Sequence, residues 1–88
     1  MTRQQVLDLY FMDARAKLID IAAFLDRVDR AAGEPDFRLT AFHHALRQLG
    51  GSEPQRAKQV LLALSDPTTE PIAKAPGKGA VGAWPGTK

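Results

Sequence analysis

Two aspartates in the N-terminal third of the chain, Asp13 and Asp20, are the first residues to test for metal chemistry. They are seven residues apart, so on a helix both carboxylates lie along nearly the same line. Metal sites in helical bundles combine such inward-facing carboxylates with an acidic residue three positions before a histidine. Lys17 stands between the two aspartates at the helical spacing of an ion pair, which favours ion pairs with Lys17 over metal binding. The same spacing predicts a pair between Asp26 and Arg30.

The two histidines, His43 and His44, are adjacent, and adjacent helical residues point about 100° apart. The two rings therefore cannot chelate one ion from a single helix face. No acidic residue stands three or four positions from either ring. His43 borders apolar side chains, which predicts a buried core histidine, and His44 is expected to face outward or toward a partner. A metal centre would need a dimer to bring together its candidate ligands: Asp13, Asp20, His43 and His44.

Other routes to catalysis have little support in the sequence. The absence of cysteine excludes disulfides, thiolate metal sites and cysteine nucleophiles. The chain has no Gly-x-Ser-x-Gly motif, and Gly77-Lys78-Gly79 lacks the preceding strand and following helix of a phosphate-binding loop. These observations favour a non-catalytic protein without a cofactor.

The charge of the chain argues against nucleic acid as a partner. The net charge is +2, and the pI of 9.3 reflects only this small excess of Lys and Arg. Residues 1–33 contain five basic and five acidic side chains. A weak, salt-sensitive nucleic-acid role is therefore the least favoured hypothesis. It would use the following residues: Arg38, Arg47, Arg56, Lys74, Lys78 and Lys88.

The element that must position most of these residues is a long first helix, predicted over residues 2–32. Thr2 is a suitable N-cap, Gly33 a suitable C-cap, and no glycine or proline lies between them. Apolar residues follow two heptad seams on roughly opposite faces of this helix. The first seam comprises Leu7, Phe11, Ala14, Leu18, Ile21, Leu25, Val28 and Ala32. The second seam comprises Leu9, Met12, Ala16, Ile19 and Ala23. A helix that must cover two opposite faces needs partners on both sides.

Two shorter helices are predicted at residues 37–49 and 53–65. Asp36 is the expected N-cap of the first, and Ser52 the expected N-cap of the second, with Pro54 in its first turn. The expected buried stripes are Leu39, Phe42, Leu46 and Leu49, bordered by Ala45 and His43, and Ala57, Val60, Leu61 and Leu64. The predicted fold class is all-α: a long N-terminal helix packed against two shorter helices, as a helical hairpin or three-helix bundle. The helical domain is residues 1–65.

Residues 66–88 form a Pro/Gly-rich tail with four prolines and four glycines. This composition is typical of a disordered segment. Three apolar residues favour the alternative of an extended arm that lies over its own bundle or over a neighbouring subunit: Ile72, Val81 and Trp84. Trp84 is the expected anchor of such an arm because of its large apolar surface.

The two-faced helix predicts a small helical interaction module that self-associates or docks onto a larger complex. Its expected interface comprises Leu9, Met12, Ala16, Ile19, Ala23, Ile72, Val81 and Trp84. We expect a homo-oligomer, because the second apolar face of the helix needs a partner. We expect it in the cytoplasm, because the N-terminus lacks a signal-peptide layout and no apolar run is long enough to span a membrane. The alternative is a carboxylate/histidine metal-binding bundle enzyme assembled across a dimer.

Overall fold

The computed structural model describes residues 1–67 and 81–87 of the 88-residue chain. Within these residues the protein is all-helical, with three α-helices and no strand, as the sequence predicts. The chain divides into two compact units, Met1–Gly33 and Glu34–Lys88. The packing of the first helix on the other two stays a prediction from the sequence. No helix among the described residues has the length and hydropathy needed to cross a membrane.

Helix α1 spans Arg3–Arg30 and makes up nearly all of the first unit. Its start is fixed by a capping box: the Gln5 backbone N–H donates to Thr2 Oγ1 at 3.1 Å, and the Thr2 N–H donates to Gln5 Oε1 at 2.8 Å. This confirms the predicted N-cap. The helix ends earlier than predicted, at an extended C-cap residue, Ala31. Gly33 lies beyond this cap with φ of 109°, so its positive φ serves the following turn and the predicted Gly33 C-cap is wrong.

Helices α2 (Phe37–Leu49) and α3 (Arg56–Leu64) form the second unit. The Asp36 side chain caps α2 as predicted, accepting from the Arg38 backbone N–H at 2.9 Å. The predicted Ser52 cap is wrong, because α3 begins only after Gln55. Pro54 explains the delay, since a proline restricts the residue before it to extended conformations, and Glu53 therefore cannot start a helix.

The α2–α3 core is centred on small residues. Ala41 and Ala45, four residues apart on α2, are the buried residues of the described chain, and α2 packs against α3. The predicted stripe on α2 is therefore wrong at Leu49, which is exposed, while Leu39, Phe42 and Leu46 are half-buried. On α3 the predicted Ala57 and Leu61 are exposed, and the half-buried face comprises Gln59, Val60, Ala63 and Leu64.

Residues 81–87 return to the end of α3. The Trp84 backbone N–H donates to the Leu64 carbonyl oxygen at 3.1 Å, which satisfies one of the free carbonyls at the helix C-terminus. The Thr87 N–H and Oγ1 both donate to the Trp84 carbonyl, at 3.0 and 2.6 Å. This segment therefore forms a tight turn attached to its own helix.

Candidate interaction surface

The second apolar seam of α1 is open along most of its length. Leu9, Met12 and Ile19 are 65%, 69% and 50% exposed. Ala16 between them is also exposed, and only Ala23, at the end of the seam, is half-buried. Five of the predicted interface residues thus lie on one helix face, and four of them are accessible to a partner.

The first apolar seam divides into two halves. In the N-terminal half, Leu7, Phe11 and Leu18 are exposed; Leu18 is 63% exposed. In the C-terminal half, three residues are half-buried: Ile21, Leu25 and Val28. From Met1 to Asp20 every residue of the chain is exposed, so both seams are open over this stretch. The heptad pattern is the same in both halves of this seam, so sequence periodicity does not distinguish the exposed half from the half-buried half.

Two aromatic residues widen this surface. Tyr10 and Phe24 lie fourteen residues, or two heptads, apart on the edge between the seams, and both are exposed. Large exposed apolar patches are uncommon on monomeric soluble proteins and mark interaction sites. The heptad pattern does not assign these two positions to the surface, because neither aromatic residue belongs to a heptad seam.

The charged residues of α1 are paired partly within the helix. Lys17 Nζ donates to Asp13 Oδ2 at 2.8 Å, as the spacing predicts. This hydrogen bond and the nearby negative charge raise the pKa of Lys17. In the described part of the chain Lys17 forms no ion pair with Asp20, and the predicted Asp26–Arg30 pair does not form either. Two of the three predicted pairings are therefore wrong.

The candidate metal ligands are not assembled. In residues 1–67 and 81–87, no group of three His, Asp or Glu side chains is arranged to hold a metal ion. The predicted burial of the histidines is reversed, with His43 exposed and His44 half-buried. Ala41 and Ala45 are the buried positions of α2, and His43, two residues from each, lies on the opposite side of the helix. Nothing in the described residues favours the metal-binding alternative.

The arm residues have separate environments. Trp84 is half-buried, and its backbone N–H donates to the Leu64 carbonyl oxygen at the end of α3. Its indole ring lies directly against Gly86. Val81 is exposed. Ile72 lies outside the described residues.

Comparisons with known proteins give no assignment: no protein-family model, curated protein or solved structure matches this chain. The functional argument therefore depends on the surface itself.

Proposed function

We propose that this protein is a small non-catalytic helical interaction module. It self-associates, or docks as a subunit of a larger complex, through the second apolar face of α1 and the C-terminal arm. The single observation that carries the proposal is the open second seam: Leu9, Met12, Ala16 and Ile19 are all exposed on a helix that has no buried residue.

The energetics of α1 support a partner. Most of the stability of a protein helix comes from packing its apolar face, and this helix packs none of its residues to full burial. Complete burial of a Leu, Met or Ile side chain is worth about 1.5–3 kcal/mol. Because Leu9, Met12 and Ile19 are half to two-thirds exposed, covering them would contribute roughly 3–6 kcal/mol per chain.

The same magnitudes set the expected strength of association. Two chains together would gain roughly 6–12 kcal/mol from these side chains. Association costs about 4–15 kcal/mol in lost translational and rotational freedom. Since the two quantities are similar, we expect an equilibrium that depends on protein concentration rather than a permanent complex.

The charge pattern of α1 disfavours binding to a lipid bilayer, the other apolar environment that an amphipathic helix could enter. Helices that lie on membranes concentrate Lys and Arg opposite one apolar face. Residues 1–33 contain five acidic and five basic side chains, and their apolar residues occupy two faces. A helix partner covers one such face and leaves the polar edges in water.

The arm has a supporting role in the proposal. The hydrogen bond from Trp84 to Leu64 ties residues 81–87 to the α2–α3 unit. Val81, three residues before Trp84, is exposed. We propose that Val81, with Ile72 and Trp84, adds to the contact made by α1.

The test is the molar mass in solution, measured by light scattering over a dilution series for wild type, Ile19→Asp and Ala22→Asp. Ala22 is exposed on α1 between the two seams, so Ala22→Asp adds the same charge to the same helix without entering either face. We expect wild type and Ala22→Asp to associate, and Ile19→Asp to have a lower mass at equal helix content. A monomeric wild type refutes self-association. Docking would then be tested by co-purification, with Ile19→Asp expected to lose the bound protein and Ala22→Asp to keep it.

A further inference from the structure

Helix α3 is too short to be stable by its own hydrogen bonds. It spans nine residues, Arg56–Leu64, whereas isolated helices shorter than about 12–15 residues are marginal in water. Its start lacks a side-chain cap within the described residues, and the N-cap residue Gln55 is left-handed with φ of 60°. The stability of α3 must therefore come from contacts outside the helix, such as its packing against α2.

The C-terminal end of α3 is capped from two places. The last four carbonyls of an α-helix have no partner within the helix. In α3 the next residue, Ser65, serves two of them: its Oγ donates to the Leu61 carbonyl at 2.6 Å, and its N–H donates to the Leu62 carbonyl at 3.2 Å. The Leu64 carbonyl accepts from the Trp84 N–H at 3.1 Å, twenty positions further along the chain. The cap is thus completed by a segment that is distant in sequence.

The segment that donates this bond is itself folded, as a turn over Trp84–Thr87. The Thr87 N–H and Oγ1 both donate to the Trp84 carbonyl, and Pro85 occupies the second position of the turn, which its fixed φ suits. The indole ring of Trp84 lies against Gly86, where a Cβ atom would overlap it. Gly86 does not have a positive φ, so the space taken by the ring, rather than the backbone conformation, requires glycine there.

The indole ring is the group that can attach this turn to α3. A single hydrogen bond contributes little net stability, because its donor and acceptor bind water when they are free. Bringing together two residues twenty positions apart costs conformational entropy. Burial of apolar surface must offset this cost. Trp84 is half-buried, whereas Val81 in the same segment is exposed, so the buried surface is that of the indole rather than of Val81.

We propose that residues 81–87 form a strap that docks on the C-terminal end of α3, and that docking through the Trp84 indole keeps the last turn of α3 folded. Release of the strap leaves the Leu64 carbonyl without this donor and allows the last turn to unwind. The strap and α3 belong to the same compact unit, Glu34–Lys88. The inference does not rest on the proposed function, because it concerns a contact within one chain.

The experiment is amide hydrogen exchange, followed by NMR on the full chain, for wild type and three variants. Trp84→Ala removes the ring and keeps the N–H donor, and Gly86→Ala places a methyl group where the ring lies. The control, Val81→Ala, changes an exposed side chain of the same segment. In wild type the Trp84 amide should exchange more slowly than an unstructured amide. Both ring variants should lose this protection and exchange faster at Leu64 and Ser65, and Val81→Ala should match wild type.

Protection of the α2 amides verifies that each variant keeps the α2–α3 unit folded. A wild-type Trp84 amide that exchanges at the rate of an unstructured amide overturns the strap. Exchange at Leu64 and Ser65 that neither ring variant alters overturns its role in holding the last turn of α3. If Trp84→Ala unfolds the whole unit, the Gly86→Ala result decides. None of these outcomes bears on the second seam of α1, whose test is the molar mass in solution.

Discussion

Enlarging Ala41 should separate α2 from α3. Ala41 is 0% exposed and Ala45 is 5% exposed, and α2 packs against α3, so we infer that both methyl groups lie at the α2–α3 contact. Protein interiors are close-packed, and extra methylene groups in such a contact force side chains off their rotamers or move the backbone. Ala41→Leu adds three carbons at a position that has no exposed surface.

The size of the effect follows from overpacking. Inserting methylene groups into a well-packed core costs about 1–3 kcal/mol. In a domain of this size each kcal/mol lowers the melting temperature by about 4–8 °C. We therefore expect Ala41→Leu to lower the melting temperature of the α2–α3 unit by on the order of 10 °C.

Trp84 is the reporter for this measurement. It is the single tryptophan of the chain and is hydrogen-bonded to the end of α3, so its fluorescence follows the second unit when tryptophan is excited selectively. The control is Ala57→Leu, which makes the same change at an exposed position of α3. Ala57→Leu should unfold within about 0.5 kcal/mol of wild type. Equal stability of the two variants would show that Ala41 does not lie at a tight helix contact.

Two further changes test the termini of the second unit. The Asp36 carboxylate accepts hydrogen bonds from the backbone N–H, Nε and Nη2 of Arg38. These bonds lower the pKa of Asp36 from its ordinary 3.8, with the Arg38 side chain as the largest cause and the Arg38 backbone N–H as the second. The ionised Asp36 therefore stabilises the folded protein above pH 3.8, and this stabilisation is lost as the pH falls through the lowered pKa. Asp36→Ala should lower the free energy of unfolding at neutral pH, and its difference from wild type should shrink in acid. A difference that does not change with pH would contradict this role of Asp36. A methyl group at Gly86 would overlap the indole ring of Trp84, so Gly86→Ala should shift the fluorescence emission of Trp84. The control is Gly50→Ala, whose methyl group meets no neighbouring atom and should leave the emission unchanged. Identical emission from wild type and both variants would show that the indole ring does not lie against Gly86.

Local signals predicted the helices well and their ends less well. Thr2 and Asp36 are short polar residues that accept from backbone N–H groups within a few positions, so the residues that form the cap are visible in the sequence itself. Ser52 carries the same signal, but Pro54 restricts Glu53 and removes the cap. Gln55 is the N-cap residue of α3 instead, in the left-handed conformation with φ of 60°.

The buried faces were harder to predict, because large apolar residues dominate a periodicity pattern. Such a pattern predicts that Leu49 and Leu61 are buried, yet both are exposed. Ala41 contributes little to a hydrophobic pattern and is nevertheless the most buried residue of the described chain. The distance between two packed helices depends on their smallest facing residues, and this distance is not available until both helices are placed. His43 is exposed for the same reason, because the buried face of α2 is the one that carries Ala41 and Ala45.

The candidate interface shows the opposite situation, in which the pattern is clear and the partner is not. Burial of apolar surface is non-directional, so two heptad seams predict that α1 is covered without specifying the covering helix. Charges would normally make that choice, but the Asp13–Lys17 pair is satisfied within α1 and the remaining charges are mixed in sign. Selection must then depend on shape. On the second seam, large Leu9, Met12 and Ile19 flank small Ala16, and a helix with the same alternation can place its own large residues over that alanine.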